Sequence, residues 1–372
     1  MSETNPLQKS NKKKLYIAGM GMITPVGGNV AMTAAAVAAS ISAYKVSDFY
    51  NLEDQPITMA SVPGSIFEEI EADIGRGDRF NTLHDRVTKM AIIAIREACG
   101  QQTTEHPIPL ILAMSEAQLE LDKLSPLSQD IEKNCKPWVS ASVTRSIRGG
   151  RAAGIEALEF AFRYLFDSAN DFLLIGGSDS YQDDYLLAPL HQAGRLLTTD
   201  SSDSFAPGEA ACFLLLTRYP ELALVRNGHV IALNQPGIAD EPGHLYSEAP
   251  YRGDGLDQAF KKALINQPEQ SIHSIYSSMN GEHHWAKEYG VAFLRNRKMF
   301  QDPVRFEHPA DCYGDLGSAT ATTLIALAAE HLFKSTKAQA HLVYSSSDTA
   351  KRGAIVIEKM RANEKTGMEQ KV

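Results

Sequence analysis

Cysteine is scarce in this sequence, and no two cysteines stand close together. The four are Cys99, Cys135, Cys212 and Cys312, in a chain of 372 residues. This scatter excludes a disulfide framework and predicts a reducing, cytoplasmic location. Long apolar runs are also missing: no stretch approaches 18 consecutive apolar residues, so no membrane span is predicted.

Positive charge is in short supply as well. With 36 Lys and Arg against 45 Asp and Glu, the net charge of −9 argues against a nucleic-acid partner. The composition, 44% hydrophobic and 22% charged, is that of a globular protein with an ample core. Only the ends depart from it: residues 1–13 and 362–372 are polar and predicted to be a disordered arm and tail.

Between these ends, segments with the character of strands and helices alternate, and they do so twice. Predicted strands are 15–22, 109–114, 172–176, 210–216, 230–233, 272–278, 341–345 and 354–357; predicted helices are 29–42, 84–99, 155–165, 255–265, 286–295 and 318–332. This alternation predicts an α/β protein. We place one half at 14–220 and the other at 221–361, and we expect them to pack as one body because no linker separates them.

Four stretches carry a resemblance to a known family. They are LYIAGMGMITPVGGN, GRAAGIEALEFAFRYLFDSANDFLLIGGSDS, DSFAPGEAACFLLLTR and YGDLGSATATTLIALA, in that order along the chain. Together they resemble the β-ketoacyl-(acyl carrier protein) synthases of the thiolase superfamily. The resemblance implies a thiolase fold, in which two pseudo-duplicated α/β halves form a layered α-β-α-β-α body.

The same resemblance implies a catalytic set that this sequence lacks. The family uses a cysteine at a helix start, two histidines, a lysine and a glycine-rich gating loop. Laid without gaps on the pattern V-S-T-A-C-A-T-G, the segment Val143–Asp179 puts Ile147 at the cysteine. Asn280 and Asp315 fall on the histidines, Ala310 on the lysine and Asp348–Lys351 on the gating loop. We therefore expect no catalytic residue of the family's kind and no cofactor.

Substitute chemistry has weak candidates. Ser146 lies next to the expected nucleophile position, although a serine at a helix start is more often an N-cap. Cys312 could face the pocket, although a small buried apolar role is more typical. His283 and His284 are neighbours, yet no recognised zinc spacing appears and we predict no metal site.

Arginines recur where the cysteine is missing. Arg145, Arg148 and Arg151 are spaced by three residues. We hypothesise that an ionic network fills the former pocket, with Arg148 paired to Asp315 or Glu282, because buried charges persist only when they are paired. His283, Asp348 and Lys351 are further predicted pocket residues. An Arg148 in bulk solvent would contradict this pairing, and a helix start with arginines could instead bind an anion.

Two functional hypotheses follow. The first is a non-catalytic binding partner. In the family that the chain resembles, the strand before the nucleophile pairs with its copy, and Trp138–Thr144 keeps the alternating character of that strand, so we expect a homodimer or heterodimer through this edge. The precedents are the chain-length factors that pair with an active ketosynthase and the thiolase-like accessory or chaperone proteins of bacterial type VI secretion effector loci. The second is an acyl-thioester enzyme with altered residues, working through Ser146, Cys312 or an acid–base pair of Asp315 and Glu282.

Overall fold

The computed structural model describes residues 13–51, 53–68, 82–100, 106–116, 127–139, 144–337 and 339–362. The predicted arm and tail lie outside these residues, apart from Lys13 and Ala362. The strands are β1 Leu15–Ile23, β2 Tyr44–Tyr50, β3 Pro56–Ala60, β4 Leu110–Met114, β5 Arg145–Arg148, β6 Phe172–Ser180, β7 Glu209–Thr217, β8 His229–Leu233, β9 Gly237–Asp240, β10 Ile272–Ser277, β11 Phe300–Glu307, β12 Ala340–Ser346 and β13 Lys351–Arg361. The helices are α1 Val30–Ala38, α2 Thr82–Cys99, α3 Leu127–Asn134, α4 Ala153–Asp167, α5 Asp184–Gln192, α6 Asp254–Leu264, α7 His283–Arg295, α8 Ala310–Tyr313 and α9 Thr320–Lys334.

The main sheet is built twice on one plan. Its order is β5-β4-β6-β7-β1-β8-β13-β12-β10-β11, and β9 pairs with β13. In the first half β4 runs parallel to β5 and β6, while β7 is antiparallel to both β6 and β1. In the second half β10 runs parallel to β11 and β12, while β13 is antiparallel to both β12 and β8. The predicted duplication of architecture is therefore confirmed.

The halves join through the first strand of each. β1 and β8 pair antiparallel only at Leu15–Leu233 and Tyr16–Ala232. Because this contact is so short, the rest of each half is free to turn and face the other across a layer of helices. The β2–β3 hairpin forms a separate two-stranded sheet.

Three apolar clusters define the layers. One packs α2 against one face of the first half, and one packs α6 and α7 against the far face of the second half. The largest lies between the halves and holds α4 and α9, with side chains from strands of both halves. The order is thus helices, sheet, helices, sheet, helices, which confirms the predicted α-β-α-β-α layering.

Close packing between β6 and the start of α9 depends on Gly177. A Cβ at this position would lie 2.5 Å from the carbonyl oxygen of Ser318, which is too close for any side chain. The sequence GG within β6 therefore lets the loop before α9 approach the sheet. That approach brings Asp315 next to the start of α4, where the candidate site lies.

Candidate functional site

The site begins where β5 leads into α4. A 3-10 turn, Gly150–Ala152, connects them, and its central residue Arg151 is only 5% exposed. Ile147 lies inside β5, four residues earlier, and packs against the central core. The buried residue at the helix start is thus Arg151, and the ungapped alignment placed the nucleophile position too early. Moving the pattern by four residues also matches its final A-x-G to Ala152 and Gly154.

Arg151 is bound on three sides by groups from the second half of the chain. Its Nη1 donates to Asp315 Oδ2 at 2.5 Å, its Nη2 to Asp348 Oδ1 at 2.6 Å and its Nε to the carbonyl oxygen of Ser346 at 3.0 Å. The guanidinium lies 4.4 Å above the ring of Trp285. Asp315 is fully buried and Asp348 is mostly buried, so these charge-assisted bonds hold the guanidinium firmly.

A second guanidinium completes the network. Arg195, after α5, makes two bonds to Glu282, from Nε at 2.7 Å and from Nη2 at 2.9 Å. It also donates to Asp348 Oδ2 at 2.7 Å and to the hydroxyl of Tyr246 at 2.9 Å. Asp348 therefore bridges the two arginines, with one carboxylate oxygen nearest each.

Asn280 links Asp315, the partner of Arg151, to Glu282, the partner of Arg195. Its Nδ2 donates to Asp315 at 2.8 Å and to Glu282 at 3.1 Å. Trp285 Nε1 also donates to Glu282, at 3.0 Å. Tyr181 donates from its hydroxyl to the other oxygen of Asp315 at 3.3 Å. The carboxylates are held by neutral donors as well as by cations, so the network is satisfied from both sides.

A further buried ion pair lies behind Trp285. Arg352 and Glu288 are both within 1% of full burial and pair at 2.5 Å, and Ser346 Oγ donates to Glu288 at 2.7 Å. The guanidinium of Arg352 lies 5.6 Å from the Trp285 ring. Glu282, Trp285 and Glu288 follow one another at intervals of three residues along α7, which puts them on one helix face.

These contacts fix the protonation states. Burial alone would raise the pKa of Asp348, but the charges of Arg151 and Arg195 lower it to about 2. Burial would lower the pKa of Arg151, yet Asp315 and Asp348 raise it above its ordinary value. At neutral pH the network is a set of permanent ion pairs, and neither arginine can act as a base or a nucleophile.

A cavity of about 340 Å³ adjoins the network. Arg151, Arg195 and Asp348 form part of its wall, and Glu116 and Asp179 line it as well. Burial raises the pKa of Asp179 to about 6, although backbone N–H groups of Ser318 and Ser180 bind its carboxylate.

Of the residues predicted for the pocket, the structure brings Asn280, Glu282, Asp315 and Asp348 together. It puts the others elsewhere. Arg148 is exposed on β5, so its predicted pairing with Asp315 or Glu282 is wrong and Arg151 makes the contact instead. Arg145 is exposed and stacks 4.9 Å above Phe160. The reason is local geometry, because both lie in the strand and only Arg151 reaches the helix start.

Two more predicted pocket residues point away from it. His283 is exposed and its side chain lies 3.5 Å from Asp203. Lys351 begins β13 and pairs with Asp240 at 2.9 Å. Ala310 is buried in α8, where its carbonyl accepts from the hydroxyl of Tyr44 at 2.8 Å.

The substitute nucleophiles are poorly placed for reaction. Ser146 is exposed in β5 and does not stand at the helix start, so the N-cap interpretation was wrong. Cys312 is 6% exposed in the central core, where burial and then the charge of Asp311 raise the pKa of its thiol. A thiol held protonated is a poor nucleophile.

Sequence reasoning missed several members of the site, namely Arg195, Trp285, Glu288 and Arg352. The pattern E-x-x-W-x-x-E at 282–288 was a usable signal for one helix face. Nothing local marks Arg195, which lies 87 residues from Glu282.

The described ranges contain no group of three or more His, Cys, Asp or Glu side chains arranged to hold a metal ion. Nor is any helix there long and apolar enough to cross a membrane.

Similarity to known proteins is found in the structure of this chain and not in its sequence. No family model and no curated protein matches the sequence. Solved structures do match. The chain superimposes on the ishigamide ketosynthase/chain length factor with a TM-score of 0.69 at 17% identity, covering 93% of this chain and 99% of that one. This chain has the thiolase fold of the ketosynthases.

Two further ketosynthase structures agree. A type II polyketide ketosynthase in complex with its acyl-carrier protein, AntDE:AntF, gives a TM-score of 0.73 at 13% identity, covering 94% of this chain and 100% of that one. The ketosynthase ApeO in complex with its chain length factor ApeC, from Xenorhabdus doucetiae, gives 0.66 at 14% identity, with coverage of 93% and 98%. At these identities the likeness establishes the fold alone.

The predicted edge strand, Trp138–Thr144, falls largely outside the described residues, because these do not include 140–143. Val139 forms a single bridge to Ile108. At this end of the described sheet the last strand is β5, Arg145–Arg148, which follows the predicted segment directly.

Proposed function

We propose that this chain is a non-catalytic ketosynthase-like protein that acts as the binding partner of another protein. Arg151 carries the proposal. It occupies the buried helix start at which the resemblance places the nucleophile, and it is held by Asp315 and Asp348. Because a guanidinium stays protonated and is no nucleophile, this position cannot attack a thioester.

The other expected catalytic positions support the same conclusion. Asn280 and Asp315, aligned with the two histidines, bind each other in the network. Neither can supply the neutral imidazole donors that stabilise an oxyanion in the family. Asp348, aligned with the gating loop, bridges two arginines and would have to leave both for the loop to move.

The partner role rests on the edge strand. β5 is an end strand of the described sheet and is mostly exposed, so its outer edge can pair with a strand of another chain. Two of the similar structures are of a ketosynthase together with a chain length factor. By analogy we propose a chain-length-factor-like subunit beside an active ketosynthase.

An accessory or chaperone role in a type VI secretion effector locus is the second form of the same proposal. Asp348 stands in the segment aligned with the gating loop and is held there by Arg151 and Arg195. This favours the accessory role, because a subunit of a condensing pair does not require this segment to be fixed. The two forms differ in the partner alone. Binding assays with a purified ketosynthase and with a purified spike or effector protein separate them.

Loss of catalysis is tested directly. The purified chain is mixed with malonyl- and acyl-thioesters, and mass spectrometry follows covalent adducts and released thiol, with an active ketosynthase as positive control. We expect neither product. Turnover or a stable acyl adduct would establish the alternative, an acyl-thioester enzyme, and the modified residue would show whether Ser146 or Cys312 carries it.

The interface is tested by light scattering and binding titration. Replacing the exposed Arg148 by Glu should weaken assembly at least tenfold if β5 forms the contact, a change of about 1.4 kcal/mol. Arg163→Glu is the matched control, because Arg163 is 70% exposed on α4 and outside β5. Equal affinities for the two variants would remove β5 from the interface.

A further inference from the structure

The cavity beside Arg151 leaves room for a ligand next to the ionic network. Its volume of about 340 Å³ suits a small ligand. Leu186, Pro189 and Leu190 of α5 form an apolar wall. Tyr181 and Tyr185 add aromatic surface on the same side. A ligand with a short hydrocarbon chain would therefore bury it against α5.

The cationic groups of this cavity are already committed. A guanidinium has five N–H donors. All five of Arg195 are used, by Glu282, Tyr246 and Asp348. Arg151 is likewise neutralised by two carboxylates. An entering anion would meet the charge of these acids before it could displace them.

The carboxylates of the cavity are less fully matched. Glu116, Asp179 and Asp348 line it, whereas Arg151 and Arg195 are its two guanidiniums and also serve acids behind the wall. Oε1 of Glu116 accepts two bonds from Thr349, at 3.0 and 2.8 Å, and both of these donors are neutral. The local charge is therefore negative.

Aromatic walls strengthen the preference for a cation. Tyr246 lines the cavity at its mouth and is 47% exposed, and Tyr185 is 80% exposed. The face of an aromatic ring attracts a positive charge that lies within about 6 Å of its centre. An apolar wall and aromatic faces are features that a surface cluster of acids does not have.

We infer that this cavity binds a primary alkylammonium group, with its hydrocarbon chain along α5 and its charge facing Glu116 and Asp179. The inference rests on the proposal that the pocket carries out no condensation, and it requires no particular protein partner. The ammonium can come from a free polyamine or from a lysine side chain of another protein. Both sources present the same group at the end of an alkyl chain.

Calorimetric titration of the full chain tests this. Butylammonium should bind and butyrate, which has the same length and the opposite charge, should not. Glu116→Gln keeps the oxygen that binds Thr349 and should weaken butylammonium at least about tenfold. Glu221→Gln, an exposed acid outside the cavity, is the control and should stay within about twofold of the parent chain.

Binding of butyrate as tight as that of butylammonium, no binding of either, or an unchanged affinity in Glu116→Gln would overturn the inference. The non-catalytic role would survive each result, because the thioester assay decides it separately. Competition with cadaverine and with Nα-acetyl-lysine N-methylamide then separates the sources. Tighter cadaverine assigns the site to a free polyamine and a tighter lysine amide to a protein side chain, while failure of both to displace butylammonium also contradicts the inference.

Discussion

The two halves of the sheet share a backbone plan, and each sends one helix into the central layer. Both helices start from a 3-10 turn whose first glycine has a positive φ, 50° at Gly150 before α4 and 52° at Gly317 before α9. In this left-handed region a Cβ would be strained. The same backbone solution therefore appears twice in one chain, which is what an internal duplication of architecture predicts.

Each helix start is also capped from the opposite half. The hydroxyl of Ser347, after β12, accepts from the backbone N–H of Ala152 at 3.2 Å. The carboxylate of Asp179, on β6, accepts from the backbone N–H of Ser318 at 2.8 Å. The caps lie one position apart in the two turns, at Ala152 in Gly150–Ala152 and at Ser318 in Gly317–Ala319, and they differ in charge. The reciprocal contacts show how the halves hold each other, since neither helix start is complete within its own half.

The halves differ most at the residue that follows the glycine. In the first half it is Arg151, whose buried charge requires two carboxylates from the second half. In the second half it is Ser318, whose neutral side chain requires no ionic partner. Backbone geometry is thus conserved between the halves, while a single side chain decides which of them carries the buried ionic network.

The largest expected effect comes from removing that side chain. Arg151→Ala leaves Asp315, whose side chain is fully buried, without its cation. Breaking a buried ion pair from one side costs about 3–5 kcal/mol. Urea denaturation at pH 7 measures this loss. The exposed Arg148→Ala should change the free energy of unfolding by less than about 0.5 kcal/mol, and equal effects of the two variants would contradict the ion-pair assignment.

A second difference lies on the strands that face the central layer. In the first half β6 presents Leu173 to the core, whereas β12 presents His341, which is fully buried with both ring nitrogens lacking a hydrogen-bond partner in the described structure. Its ring lies 5.1 Å from that of His331 on α9. Burial, then the charges of His331, His273 and Arg305, lowers the pKa of His341 to about 3.

Acid should therefore destabilise the second half more than the first. The pKa of a histidine in the unfolded chain is about 6.5. Between pH 6.5 and 3 the unfolded chain therefore binds more protons than the folded chain, and the free energy of unfolding decreases as the pH is lowered. Acidification from pH 6.5 to 4.5 should cost about 2 kcal/mol through His341 alone. His341→Leu, which copies Leu173, should remove that loss.

Chemical denaturation at the two pH values measures the effect. The control is His283→Leu, because His283 is exposed. It should leave the acid dependence as in the parent chain. If His341→Leu leaves the dependence of the free energy of unfolding on pH unchanged, burial does not lower the pKa of His341 in the folded chain.

The smallest effect concerns the caps. Ser347→Ala removes the acceptor for Ala152 N–H and should cost about 1 kcal/mol, as loss of an N-cap does. Ser202→Ala, at an exposed position outside any helix, is the control and should cost less than about 0.5 kcal/mol. If Ser347→Ala proves neutral in thermal and urea unfolding, the reciprocal capping has no energetic weight in the first half.

Much of the fold could be read from local patterns. The helix predicted at 155–165 is α4, Ala153–Asp167, and the helix predicted at 318–332 is α9, Thr320–Lys334. Both have apolar side chains at helical spacing, which is a property of neighbouring residues. The hairpin of β2 and β3 was missed, since its strands are short and largely exposed on one face.

The candidate site was predicted in part. Aligning the resemblance pointed to Asn280, Glu282, Asp315 and Asp348, because loops of fixed position in the family carry them. The cation was assigned to Arg148, one helical turn too early. Three arginines at equal spacing look alike in the sequence, and only the end of β5 decides which of them leaves the strand and turns inward.

The sequence by itself determined the alternation of strands and helices, the doubled architecture and the absence of a cysteine at the helix start. These depend on residue type and on neighbours a few positions apart. Only the tertiary structure decided that Arg151 is buried against Asp315 and Asp348, which lie 164 and 197 residues away. A buried charge is stable only when an opposite charge lies within ion-pair distance, and the packing of the two halves sets that distance.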